Sequence, residues 1–571
     1  MSKTQYFDLR VKSILDVTQP GERVCALTGE KWNMTDEEIG WYRKFNVPPS
    51  KRAPYTRMRH LMGFVSGLAL WKKPHAETGE SIWSFVHPDS PFNIIHDKEW
   101  FSKEFLEPGQ LLDSQRSFFD QLLPLAHRIP VGALRDDGSN LRCTGVDLIK
   151  CEDAYLAFAL MYNRRVLHAF LGLENEDCMD VIDNSRCRFC FQTSYSSKCF
   201  SCVDCFSCNG CSSSAFLYDC VDCEFCFGAS NQLHKKYLWW NEQLSKEEWE
   251  KRRQEVDLSS RAVYQKQHEQ FLEMIRQSVW PAYVHVGSEG CTGEHISDST
   301  RCKFAYRNYD STDCFRCYAT LELQESAFTG WGGKGGQMYE CCDMLSGSQN
   351  RFCFRTWRSI GMEYSLNCYD CEHCFGCVGL RHKKFCILNQ QYDEANYWQK
   401  LDELKCAMLD RGEYGEFFPA AFSEPGFQFS MGDLYAEYLP DELRAHGAPM
   451  YETSIGSTTP DLLSPDDLPD RADDPAWENF INKSVLDPIL HRPFVVTQAE
   501  LAFCRKQNVA VPSEHPFLSM KNRFRFSNGP REEQAMCEKC HAEVTTYRNS
   551  TFPMRRILCQ KCYWEYLGER G

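Results

Sequence analysis

Cysteine at every third position is the feature that most restricts how this chain can fold. Cys220, Cys223, Cys226, Phe227 and Gly228 recur 148 positions later as Cys368, Cys371, Cys374, Phe375 and Gly376. The same offset carries Cys143-Thr144-Gly145 onto Cys291-Thr292-Gly293, and His234-Lys235-Lys236 onto His382-Lys383-Lys384. One offset held over roughly a hundred residues marks an internal duplication. A second offset, 462, joins the chain ends: Thr35, Glu38, Arg43, Lys44, Asn46 and Val47 match Thr497, Glu500, Arg505, Lys506, Asn508 and Val509.

Of 32 cysteines, 25 lie between Cys143 and Cys386, in runs such as Cys199, Cys202, Cys205, Cys208, Cys211 and Cys368, Cys371, Cys374, Cys377. Three chemistries compete for this spacing. Iron–sulfur binding uses C-x2-C-x2-C runs usually closed by Cys-Pro, and no proline follows any of these cysteines. Additional zinc sites need pairs of C-x2-C knuckles to converge. A parallel β-helix core needs only small apolar side chains stacked rung on rung, a role cysteine fills. Polar punctuation such as Asp183-Asn184-Ser185 and Ser365-Leu366-Asn367 suits tight turns between rungs.

The expected architecture is mainly β with helices: two duplicated, cysteine-rich, right-handed parallel β-helix-like coils flanked by related terminal zinc-ribbon-type modules. The segments are a degenerate ribbon-like module (1–136), a first coil (137–243) and a helical connector (244–284). A second coil (285–392), a helical and irregular segment (393–451), an acidic Pro/Ser linker (452–475) and a C-terminal ribbon (476–571) follow.

Cys537-Glu-Lys-Cys540 and Cys559-Gln-Lys-Cys562 are the strongest site signal. Two residues between thiols let both sulfurs of a knuckle reach one tetrahedral ion, and two knuckles close its shell. A closed shell leaves no position for water, so one structural Zn2+ per chain is expected. At the 462 offset, His75 and Thr78 fall opposite the first knuckle. One residue of gap places His96 and Glu99 opposite the second. His75, His96 and Glu99 are chemically capable of a second metal site, but a decayed ribbon that packs without metal explains them more simply.

Several of these segments resemble a family of cysteine-rich, zinc-ribbon-flanked proteins of uncharacterised activity, abundant in candidate-phylum (Patescibacteria) bacteria and sometimes labelled CaiB/BaiF. The resemblance rests on Cys374-Phe-Gly-Cys377-Val-Gly-Leu380 with His382-Lys-Lys-Phe385-Cys386, on Glu413-Tyr-Gly-Glu416-Phe-Phe-Pro419, and on the tail ending Cys559-Gln-Lys-Cys562-Tyr563. It implies further knuckles near Cys25, at Ala53 to Thr56 and at Asp487 to Leu490, where most of the cysteines are absent. No residue pattern here supports CoA-transferase chemistry.

The start of the chain has no apolar targeting segment, which leads to a cytoplasmic expectation without membrane association. A net charge of −15 argues against general phosphate-backbone binding. The tail is the exception, with Lys521, Arg523 and Arg525 interleaved with Phe524 and Phe526 as potential nucleic-acid contacts. There is no P-loop, G-x-S-x-G elbow, H-E-x-x-H or dinucleotide fingerprint, and no catalytic residue is assigned. The reading is a zinc-binding scaffold whose partner is another protein. A nucleic-acid-associated protein acting through the basic ribbon comes second, and an iron–sulfur or hydrolytic enzyme third.

Overall fold

A computed structural model describes residues 3–105, 112–172, 178–179, 181–184, 191, 201–435, 437–452 and 462–570. Cys199, Ser185 and residues 453–461 of the expected linker lie outside them. The chain is mixed α/β, about 28 % helix and 27 % strand, with many parallel sheets. That corrects the mainly-β expectation. Helices Arg261–Gln277 and Glu394–Asp410 pack against strands, Gln5–Val17 packs against Glu394–Asp410, and each terminal segment carries helices of its own. Among the described residues no helix is long and apolar enough to cross a membrane.

Two compact units form, each from non-contiguous chain. One joins Met1–Ala133 to Tyr283–Tyr451, the other Leu134–Ala282 to Glu452–Gly571. In the first, parallel pairing advances by twelve residues at a time: Gly293 with Ala305, Tyr306 with Tyr318, Tyr318 with Gly330, Gly330 with Cys342. Isolated bridges continue the step through Tyr339, Arg351, Glu363 and Phe375. The second unit repeats the arrangement in Val203, Ala215, Phe227 and Trp239.

The backbone explains the C-x2-C spacing. Every third residue is left-handed, as in Asp219, Asp222, Phe225, Gly228, Asn231 and His234, and again in Asp370, His373, Gly376, Gly379 and His382. A left-handed residue other than glycine costs about 1–2 kcal/mol, so the ladder must offset a recurring strain. It does so through two backbone hydrogen bonds per step. The Val221 amide donates to the Gln232 carbonyl and the Asp222 amide to the Asn209 carbonyl, at 2.9 and 2.8 Å. The residue after most of these left-handed positions is buried, as Cys220, Cys223, Cys226, Cys371, Cys374 and Cys377 are, and there the cysteines collect. Cys302, Cys314, Cys341, Cys353 and Cys368 belong to one core and Cys202, Cys208, Cys211, Cys220 and Cys223 to the other.

These buried thiols have a repeated hydrogen-bonding role. Cys220 Sγ donates toward the Tyr218 and Ala229 carbonyls at 3.4 and 3.6 Å, and Cys371 Sγ toward the Tyr369 and Leu380 carbonyls at 3.3 and 3.4 Å. Serine does the same where it replaces cysteine, with Ser365 Oγ donating to the Glu363 carbonyl at 3.0 Å and toward the Cys374 carbonyl at 3.4 Å. Burial raises the Cys220, Cys341 and Cys368 thiols well above their ordinary range, which keeps them protonated donors.

Each unit covers its ladder with the terminal segment it recruits. In the first, buried Arg57 hydrogen-bonds Glu340 at 2.6 Å and the Tyr339 hydroxyl at 2.6 Å, and Phe118 packs on Tyr364 and Phe375. In the second, Tyr264 and Phe271 of helix Arg261–Gln277 pack on Phe216, and Trp280 on Phe552.

Candidate metal centre

One backbone turn occurs four times, twice in each terminal segment. A residue donates its amide to the carbonyl five positions on, and its own carbonyl accepts the amide four positions on. The four first residues are Cys25, His75, Asp487 and Cys537. Gly29, Gly79, His491 and His541 occupy the left-handed position of the respective turns, where a short loop must reverse. A helix begins near each turn, and the N-cap residues are Ala53, His96, His515 and Cys559. Helix N-termini supply amides to an anionic or thiolate group.

Only the fourth turn carries the full thiol set. Strands Glu532–Met536 and Glu543–Tyr547 form its hairpin, and Cys559 caps helix Gln560–Gly568 by accepting the Cys562 amide at 3.5 Å. The sulfurs of Cys537, Cys540, Cys559 and Cys562 all lie within 4.8 Å of one another, with Cys540 and Cys559 at 3.8 Å. A tetrahedral ion with ~2.3 Å bonds to sulfur needs sulfur–sulfur edges of about 3.8 Å, so this donor set fits a metal ion. Among the described residues it is the one group of three or more such ligands gathered this closely.

The electrostatics point the same way. Burial pushes the Cys537 thiol up, but the amides of Cys540, Cys559 and Lys539 outweigh it and hold the thiol down at about 6. Cys562 is pushed up to about 12 by desolvation and by its three sulfur neighbours. Four thiols cannot all ionise side by side without a cation among them. Around the cluster, Val279, Leu558, Tyr563 and Leu567 form a small apolar shell, and the Tyr563 hydroxyl donates to Asp219. Arg556 binds Glu538 of the first knuckle with both of its forks.

Two of the other three turns, those of Asp487 and His75, close by direct contact. Asp487 accepts the Ile489 and Leu490 amides through Oδ1, at 2.9 and 2.8 Å, and the His515 N-cap amide through Oδ2 at 2.8 Å. Those are the places the Cys537 thiol fills, since it accepts the Cys559 amide at 3.3 Å. His75 Nδ1 accepts the Glu77 and Thr78 amides, while Nε2 lies 3.0 Å from Glu99 and the ring 5.2 Å from that of His96. The second Glu99 oxygen is engaged by Lys103. The structure therefore brings His75, His96 and Glu99 together: a hydrogen bond joins His75 to Glu99, an ion pair joins Glu99 to Lys103, and His96 meets His75 through its ring.

Of the basic tail residues, Lys521 and Arg523 lie in a helix and Arg525 caps its C-terminus. Pro516–Phe524 begins with proline at its first position, and Arg523 is buried in it. The guanidinium lies 3.1 Å from Asp204, whose other oxygen meets the Tyr264 hydroxyl at 2.6 Å and His268 at 3.1 Å. Burial alone would raise the Asp204 carboxyl, but His268 and Arg523 hold it below its ordinary value. Arg523 is thus turned inward, away from any surface that could meet a phosphate, while Lys521 and Arg525 are half-buried.

No model of a known protein family matches the chain, and no curated protein shows significant similarity to it.

Proposed function

We propose that the protein is a zinc-stabilised scaffold. In this reading each twelve-residue ladder closes into a β-helical coil, and duplicated terminal ribbons cap the coil ends. The four thiols of the last ribbon hold one structural Zn2+, a metal whose closed tetrahedral thiolate shell stabilises a fold without opening a catalytic position. The single observation that carries the reading is the convergence of those four sulfurs at one of four copies of the same turn, the other three of which lack the full thiol set. The reading keeps the chain in the uncharacterised cysteine-rich family it resembles and in the cytoplasm, where the coil thiols stay reduced.

Such a protein works by presenting surfaces to another protein. Affinity purification of the full chain, with and without nuclease, tests it. A stoichiometric protein partner that survives nuclease supports the scaffold. Recovery of nucleic acid instead, lost as salt rises, would favour the basic-tail reading and overturn this one. The inward Arg523 already weighs against that alternative.

A further inference from the structure

The second unit contains a cavity of about 310 Å3 that has no role in the metal centre. Its floor is a column of ladder residues stacked twelve apart: Val203, Ala215 and Phe227. Two small side chains in that column open the space. Trp249 and Arg253 of helix Lys246–Gln254 form one wall, and Gln507 reaches in from the terminal segment.

The corresponding column 148 positions on, in the other unit, is filled. Arg351 and Glu363 stand where Val203 and Ala215 stand, and Glu363 binds Lys405 at 2.9 Å and the Tyr414 hydroxyl at 2.5 Å. Phe7 of the N-terminal helix packs on Tyr414 there, at 4.6 Å between ring centres. Leu401 occupies the position of Arg253. One half of the duplication thus fills this position with its own side chains, and the other leaves it open and adds a cation.

Arg253 is positioned to meet an anion. Its Nη1 donates to the Val256 carbonyl at 2.8 Å and its guanidinium lies 5.8 Å from the Phe227 ring centre. Among the described residues no carboxylate stands within ion-pair distance of it. Burial lowers its pKa, and the Asp257 carboxylate offsets that effect only in part. The cavity combines the apolar Val203, Ala215 and Trp249 with the hydroxyls of Ser201, Ser213 and Ser214 and one convergent guanidinium, the pairing of apolar wall and polar anchors found in small-molecule sites. A planar fork suits a carboxylate, and Trp249 suits a flat ring.

We propose that this cavity binds a small aromatic carboxylate, its ring over Ala215 against Trp249 and its carboxylate on Arg253. The test titrates 2-naphthoate and uncharged 2-naphthamide into the full chain by isothermal calorimetry. The wild type is compared with Arg253→Leu, which installs the residue of the filled half, and with Ala215→Phe, which closes the floor. The proposal expects saturable binding of one 2-naphthoate per chain and at least tenfold weaker binding of the amide. Arg253→Leu should bring the acid down to the level of the amide, and Ala215→Phe should abolish both. Equal affinity for acid and amide, undiminished binding by a folded Ala215→Phe chain, or no saturable binding by folded wild type overturns it. Should Ala215→Phe fail to fold, the Arg253→Leu comparison alone decides.

Discussion

Replacing Cys368 by serine should cost less stability than replacing it by alanine. Cys368 is fully buried, and its sulfur lies 3.4 and 3.5 Å from the Leu366 and Cys377 carbonyls. Ser365, three positions earlier, is equally buried and makes the same pair of contacts. Alanine removes about one methylene equivalent of apolar burial, ~0.8 kcal/mol, and leaves a small void that adds a further ~0.5–1 kcal/mol. Serine also loses apolar contact, but its hydroxyl forms a stronger hydrogen bond to the same carbonyls and recovers about 1 kcal/mol. The expected losses are therefore about 1.3–1.8 kcal/mol for Cys368→Ala and under about 1 kcal/mol for Cys368→Ser. Urea unfolding followed by tryptophan fluorescence measures both, with metal content determined on the same samples. A serine variant less stable than the alanine variant, or a fall in bound metal in either, would refute the carbonyl-bonded role of the ladder thiols.

Arg523→Gln should destabilise the chain by about 3 kcal/mol, because Asp204 keeps only Tyr264 and His268 as partners in a buried site; thermal unfolding reads this, and a neutral substitution would count against the inward placement. His515 is held at about 3, mainly by burial and then by Arg492, against about 6.5 in an unfolded chain. The folded state resists the proton that the unfolded state accepts, so this stability is complete above pH 6.5. It is lost as pH falls toward 3, at up to about 1.4 kcal/mol per unit. His515→Asn, which can still accept the Phe517 amide, should flatten that acid limb in denaturation curves measured from pH 7 to 4. His75→Gln should leave bound metal per chain unchanged, since Glu99 and Lys103 already satisfy that turn; a drop by one equivalent on elemental analysis would place a second ion there.

What the sequence made legible was local. Thr35 and Asn46 match Thr497 and Asn508 because both pairs bracket a helix, the threonine accepting the amide three residues on and the asparagine closing in the left-handed conformation. The four thiols of the last turn announce themselves by spacing. The twelve-residue step was present in Cys208 with Cys220, Cys211 with Cys223 and Cys341 with Cys353. It was obscured wherever serine, threonine, alanine or leucine fills the same inward position. The alternation from Lys521 to Phe526 suits a strand and a nucleic-acid contact alike. Pro516 at the first helical position and buried Asp204, a partner more than three hundred positions away, decide its actual form. No periodicity could reveal that residues 1–133 assemble with 283–451, because the choice of partner lies in long-range contacts such as Arg57 with Glu340.

The most direct test of the account is the metal content of native full-length protein, purified without added metal, with zinc and iron both quantified per chain. The account predicts close to one zinc, no iron, and loss of that zinc in Cys540→Ser without loss of the ladders. Stoichiometric iron, several zincs, or zinc retained after Cys540→Ser would contradict it and make ligands of the central cysteines.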